Sequence, residues 1–215
     1  MSLDQRTVTT AVIAVVLLGF VGIIVFGMSW GGFSADELLA VENPTPEQIE
    51  EITNLLLAPD LEMRERAVVR LIEIGQPALE PLKKMAQSDD KETRLAALSV
   101  AGEIDATAAL DIIEQLLNNP DEMVRVEGMR ALGSLPGGDE QAERHLDIYI
   151  RALDDPYSGV REGAAGKLAF FKGREHRKRV LEALTKTLDD PEYLVRDHAA
   201  ESIRILTGTK PKIKR

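Results

Sequence analysis

The chain reads as all-α: an α-solenoid of about five helix hairpins, preceded by one transmembrane helix. Three observations predict this. One pattern recurs around Arg64, Arg94, Arg125, Arg161 and Arg196, at spacings of 30, 31, 36 and 35 residues. A fixed period of that size marks a stack of repeated units. Within each copy, small and apolar residues recur at the spacing of one helix face. Ahead of the repeats, residues 11–28 are wholly apolar or glycine.

The copies run Pro59-Asp-Leu-Glu-Met-Arg64-Glu-Arg-Ala67, Asp89-Asp-Lys-Glu-Thr-Arg94-Leu-Ala-Ala97, Pro120-Asp-Glu-Met-Val-Arg125-Val-Glu-Gly128, Pro156-Tyr-Ser-Gly-Val-Arg161-Glu-Gly-Ala164 and Pro191-Glu-Tyr-Leu-Val-Arg196-Asp-His-Ala199. Each begins with a helix-start signal. Asn119-Pro120, Asp155-Pro156 and Asp190-Pro191 place a capping side chain before a proline expected at the first helical position, where no hydrogen bond is lost. Ser88-Asp89 and Ala58-Pro59 stand there in the other two copies. Acidic residues follow in the first turn (Asp60, Glu62, Asp121, Glu122, Glu192), where the helix dipole favours them.

Three residues after each arginine comes Ala67, Ala97, Gly128, Ala164 or Ala199, and seven after it Leu71, Ala101, Leu132, Leu168 or Ile203. These spacings share one helix face. The small residue lets a neighbouring helix approach closely. A second helix is expected in copies one to four, for example over residues 78–85 and 108–117. One hairpin cannot bury its own apolar face, so the units must stack.

The copies resemble HEAT repeats, and the short period is similar to the phycobilisome-lyase-type HEAT-like repeats. The resemblance covers residues 46–208. Val124-Arg125, Val160-Arg161 and Val195-Arg196 match the pattern fully, and Met63-Arg64 and Thr93-Arg94 match loosely. It implies that Arg64, Arg94, Arg125, Arg161 and Arg196 form a structural ladder with acidic groups of neighbouring repeats. Buried guanidinium groups need paired acceptors, which aspartates or backbone carbonyls of the preceding turn would supply. A ligand-binding row of arginines is the competing reading.

The expected organisation is a short N-terminal tail (1–6), a transmembrane helix (7–30), a juxtamembrane linker (31–45), the repeats (46–208) and a basic tail (209–215). Residues 7–35 carry no charge. A run of this length spans a hydrocarbon core of about 30 Å. Trp30 follows it, where interfacial aromatics belong. A cleaved signal peptide has a shorter apolar stretch and a more basic start, so a retained single-pass anchor is expected. Gly27 and Gly31 have the spacing of a helix-pairing motif, at the membrane edge. No lysine or arginine occurs from residue 36 to residue 63. The N-terminus is therefore expected in the cytoplasm and the repeats in the periplasm or another extracytoplasmic space.

Ser34 with Glu37, and Thr45 with Gln48, read as capping boxes opening a short helix to about Val41 and a longer one through Leu57. The residues around Gly75, Pro136 and Gly173 punctuate the hairpins.

The net charge is −10 and there is no cysteine. An acidic surface repels nucleic acid, so no nucleic-acid partner is expected. Without cysteine there is neither a disulfide nor a thiolate metal site. Charge is uneven along the chain. Eight acidic and no basic side chains fall within residues 36–63. Basic residues gather at Lys172, Arg174, Arg177, Lys178 and Arg179, and again at Lys210, Lys212, Lys214 and Arg215. These nine are the candidate basic docking residues, for an acidic protein partner or lipid.

The chemistry expected of an enzyme is missing from the motifs. His145, His176 and His198 form no His-x-x-x-His spacing, and the His-Glu pairs of HEAT-type iron hydroxylases do not occur. The pairs Asp89-Asp90, Asp154-Asp155 and Asp189-Asp190 recur at one turn of successive repeats, which marks them as caps. The expectation is no catalytic, cofactor or metal site.

The function expected is a membrane-anchored scaffold that binds a protein partner as an accessory subunit of a larger membrane complex. Its docking surface is expected on the second helices, within residues 112–117, 145–151 and 179–186. The alternatives are a tetrapyrrole or bilin lyase-like or chaperone-like assembly factor, and an adaptor for a membrane protease or secretion system.

Overall fold

The computed structural model describes residues 33–135 and 141–214. The predicted transmembrane helix, Trp30, the loop over 136–140 and Arg215 lie outside the described residues. Among those described, no helix is long and apolar enough to cross a membrane.

All regular structure in the described residues is helical. The elements are α1 (Ala35–Ala40), α2 (Pro46–Asn54), α3 (Leu61–Ile74), α4 (Leu79–Met85), α5 (Lys91–Ile104), α6 (Ala106–Leu117), α7 (Glu122–Leu132), α8 (Ala142–Ala152), α9 (Ser158–Lys167), α10 (Arg174–Thr187) and α11 (Tyr193–Thr207). The arginine-bearing helices are α3, α5, α7, α9 and α11. Their second helices are α4, α6, α8 and α10. Contacts divide the chain into two compact units, one through Ile112 and one from Ile113, with α6 shared between them.

In the first unit α2 packs on α3, α3 on α5, and α4 on both α2 and α5. Leu38, Ile52, Leu56, Leu71, Leu82 and Leu110 are fully buried there. Each such side chain contributes on the order of 1.5–3 kcal/mol relative to an exposed one. In the second unit α9 sits between α7 and α11, and α10 packs on α8 and α11. Leu132, Leu146, Ile148 and Leu168 are fully buried in it.

The repeat pattern maps onto this packing. The small residues Ala67, Ala97, Ala164 and Ala199 are all 0% exposed, and Gly128 is buried too. The residues seven after each arginine are also buried. Gly128 shows why small matters. A Cβ added there would lie 3.0 Å from the Leu116 Cβ and 3.3 Å from the Leu117 backbone N.

Both capping boxes form. Ser34 accepts from the Glu37 N–H and Thr45 from the Gln48 N–H, and each partner side chain returns a bond to the cap's own N–H. Pro46 opens α2 as expected of a first-turn proline. The second of these helices tightens into a 3₁₀ turn over Leu55–Leu57.

The repeat caps fall elsewhere than the sequence pattern suggests. Pro120, Pro156 and Pro191 precede the first helical residues Glu122, Ser158 and Tyr193 by two residues. They are not at the first helical position. Asn119, Asp155 and Asp190 instead close a turn one step earlier, accepting from the N–H groups of Asp121, Tyr157 and Glu192. The N-caps proper are Asp60, Asp90 and Asp121, which accept from Glu62, Thr93 and Met123. In this turn the side-chain bond of the capping residue takes the N–H two residues on, and the arginine holds the carbonyls at and after the capping position. The helix begins only once they are passed.

Parts of the acidic stretch are neutralised within the first unit. Arg66 pairs with Asp36, and Lys84 with Glu50.

Candidate functional site

Each repeat arginine performs the same local task. Its Nη1 donates to the carbonyls six and five residues earlier. Arg64 reaches Ala58 O (2.6 Å) and Pro59 O (3.3 Å), and Arg94 reaches Ser88 O (2.8 Å) and Asp89 O (2.9 Å). Arg125 holds Asn119 O and Pro120 O at 3.0 and 3.1 Å, and Arg161 holds Asp155 O and Pro156 O at 2.8 and 3.1 Å. Arg196 holds Asp190 O and Pro191 O at 2.6 and 2.8 Å. One guanidinium edge thus satisfies the carbonyls of the turn that leads into its own helix.

The other edge faces the following repeat. In the second unit Arg125 donates from Nε and Nη2 to both carboxylate oxygens of Asp155, at 2.9 and 3.1 Å. Arg161 does the same to Asp190, at 2.7 and 3.0 Å. Such a fork-to-fork pair fixes geometry as well as charge. Burial opposes ionisation of Asp190, but the hydrogen bond from Arg161 and that from the Glu192 N–H outweigh it, holding its carboxyl below the usual range. The repeat resemblance implied a ladder of these arginines with acidic groups of neighbouring repeats, but the sequence pattern marked Asp155 and Asp190 only as caps. The available signal was their place six residues before the next arginine.

At Arg196 a different group fills the same place. Its Nε and Nη2 both donate to the Lys214 carbonyl, at 3.2 and 3.1 Å. The basic tail folds back along α11. Lys210 reaches Asp197 at 2.8 Å and Glu201 at 3.6 Å. Its hydrogen bond to Asp197 raises the Lys210 ammonium above its ordinary range.

A groove opens between the second helices of this unit. Glu114 and Leu117 of α6 face Ile148 and Arg151 of α8, with Asp154, Asp155 and Val160 closing one end of a cavity of about 480 Å³. A smaller cavity of about 260 Å³ lies between Ile150, Leu153 and Asp154 on one side and Ala183, Lys186 and Thr187 of α10 on the other. The three segments expected to carry docking residues are brought together here in part. Ile112 and His145 are buried in packing and do not reach the surface.

Ion pairs organise the polar side of the groove. Glu114 receives Arg144 Nη2 at 2.5 Å and also pairs with Arg151. Burial opposes its ionisation, but these two arginines outweigh the effect and lower its carboxyl pKa. Arg179 pairs with Glu143 at 2.8 Å and with Asp147.

The histidines take ordinary packing places. Burial, with Arg144 nearby, lowers the His145 pKa. His176 packs edge-on to Phe171, its Nδ1 3.1 Å from a Glu143 oxygen but off the line of a hydrogen bond. His198 Nε2 is 3.6 Å from Glu162. Among the described residues no three His, Asp or Glu side chains converge as a metal-ligand set.

The candidate basic residues within the described part of the chain differ in their partners. Arg179 is engaged in ion pairs and Arg177 donates to the Leu206 carbonyl. Lys172, Arg174 and Lys178 are exposed, with Lys178 3.9 Å from Glu182. Lys210 is held against α11, while Lys212 and Lys214 are exposed and Arg215 lies outside the described residues.

Arginine-clamped helix hairpins, repeated at this spacing, define a helical repeat protein. Residues 79–169 match the HEAT repeats family. No curated protein matches the chain. Among solved structures it is similar to computationally designed armadillo repeat proteins for modular peptide recognition, with 18% identity, 80% of this chain and 92% of that chain covered, and a TM-score of 0.48. It is similar to a designed armadillo repeat protein in complex with a (KR)4 peptide, at 20% identity, 80% and 91% coverage and a TM-score of 0.49. Human deoxyhypusine hydroxylase aligns at 17% identity, covering 96% of this chain and 75% of that one, with a TM-score of 0.48.

Proposed function

We propose that the chain is a membrane-tethered docking platform, which holds a protein partner in the groove of α6, α8 and α10 as an accessory subunit of a larger membrane complex. The observation that carries this reading is the groove itself. It leaves a cavity of about 480 Å³ beside Leu117, Ile148 and Val160, and its polar wall is already fixed by ion pairs. Helical repeats of this kind present extended binding surfaces without a single special site. The repeated aspartates serve turns and arginines, so the reading assigns no catalysis.

The tether rests on the apolar length of residues 7–30, and the orientation on the missing basic residues beyond it. On this reading the N-terminus is cytoplasmic and the repeats are periplasmic or otherwise extracytoplasmic.

A photo-crosslinking residue placed at Arg151 or Lys186 in the full chain in native membranes should capture one common protein, identified by mass spectrometry. The same probe at exposed Glu80 should not capture it. Capture from all three positions alike, or from none, overturns the groove as the docking surface. Solubility of the full chain in carbonate-washed extracts would overturn the tether.

A further inference from the structure

The Lys214 carbonyl stands where Arg125 and Arg161 each hold an aspartate. Arg196 offers the same edge, Nε and Nη2, and its opposite edge is anchored in the same way on Asp190 O and Pro191 O. The fork is therefore built and preset for two carboxylate oxygens. It receives one neutral oxygen, at 3.2 and 3.1 Å, against 2.7 and 3.0 Å in the Arg161–Asp190 pair. A carboxylate would add a second acceptor oxygen and an opposite charge, neither of which the carbonyl offers. The Tyr193 ring lies 5.8 Å from the Arg196 guanidinium carbon.

Besides the fork's own bonds to Lys214, exposed contacts hold the tail, among them Lys214 Nζ at 3.9 Å from Asp189. Gly208, at φ +83, ends α11 in the left-handed conformation that turns the chain back. Lys210 then pins the segment to Asp197 and Glu201. These pairs are exposed, and exposed pairs contribute about 0–1 kcal/mol. The strap is weakly held over a strong site.

We propose that residues 209–214 form a displaceable strap over a carboxylate-binding fork at Arg196, and that the ligand is an acidic protein segment presenting an aspartate at a turn into a helix. Asp155 and Asp190 show the form of that ligand within this chain. A partner bound there would extend the arginine–aspartate series by one step. The proposal does not depend on the groove being occupied.

The test uses the full chain and, as probe, a terminally blocked peptide of residues 186–197, whose Asp190 supplies the carboxylate. Binding is read from the Arg196 Nε–H resonance, assigned with Arg196→Lys. Lys210→Glu repels the strap from Asp197 and Glu201 and raises the open fraction, so the peptide should bind about tenfold more tightly than to the unmodified chain. A peptide carrying Asp190→Asn should lose this binding. That control leaves the protein unchanged and so cannot fail through misfolding.

Equal affinity for both protein forms overturns the strap. Binding that survives Asp190→Asn in the peptide overturns the carboxylate fork. Weaker binding to Lys210→Glu would mean that the tail lysines capture the acidic peptide, and overturns the proposal as a whole.

Discussion

Arg161 grips Asp190 through two parallel hydrogen bonds, Nε to Oδ2 at 2.7 Å and Nη2 to Oδ1 at 3.0 Å, while its Nη1 holds the Asp155 carbonyl. One side chain thus ties its own turn to the next repeat. The two partners' side chains are 11% and 8% exposed. Removing one member of a pair this well shielded leaves the other charge without its partner. Asp190→Ala should cost about 3 kcal/mol, read as a lower midpoint in chemical denaturation. Asp154→Ala, one residue before the equivalent Asp155, should change stability by less than about 0.5 kcal/mol.

Arg64 lacks what Arg161 has. Its Nε is buried with no hydrogen-bond partner. The residue equivalent to Asp155, six before the next arginine, is Ser88. Ser88 already makes the turn bond, accepting from the Asp90 N–H. An aspartate could keep that bond and extend a second oxygen to Arg64. Ser88→Asp should therefore stabilise the protein by about 1 kcal/mol. The gain should vanish in an Arg64→Gln background, as a double-mutant cycle by thermal unfolding would show.

Gly128 lets α7 approach the end of α6. A side chain there meets the Leu116 Cβ at 3.0 Å and the Leu117 backbone at 3.3 Å. The backbone cannot rotate away as a side chain can. Gly128→Val should cost about 2 kcal/mol through overpacking. The same substitution at a helix position facing solvent should not, and calorimetry distinguishes them.

Two ion-paired carboxylates make stability fall in acid. Asp190 and Glu114 both have folded-state pKa values below their ordinary 3.8 and 4.5. Groups depressed on folding contribute stability that is full above those ordinary values and lost as pH falls through the folded ones. Denaturation midpoints should be level from neutrality to about pH 5 and decline below pH 4. Asp190→Asn should flatten part of that decline, since asparagine does not titrate in this range.

Much of the architecture was legible in the sequence because it is periodic. Ala67, Ala97, Ala164 and Ala199 sit on one helix face by spacing alone, and that face must be covered whatever covers it. Ser34 and Thr45 cap through residues three positions on, so their boxes depend on local backbone only. The prolines misled because the pattern shows a helix-start signal but not how far the helix start is displaced. The displaced start goes with the turn that Asn119, Asp155 and Asp190 close and whose carbonyls Arg125, Arg161 and Arg196 hold, a contact over five and six residues. The basic residues at 172–179 are neighbours in the chain, but Arg177 bonds the Leu206 carbonyl of α11 while Arg179 pairs with Glu143 and Asp147 of α8.

By itself the sequence determined an all-helical repeat of hairpins and the buried face of each first helix, and it singled out the arginine that recurs in every copy. Those properties follow from local backbone preference and from a period repeated along the chain. Only the tertiary structure decided which oxygen each arginine receives: Asp155, Asp190, or the Lys214 carbonyl. The same is true of the groove that gathers Glu114, Ile148 and Arg151. Those partners lie roughly one repeat or half a repeat apart in the chain, so only the packing of one hairpin on the next brings them within hydrogen-bond reach.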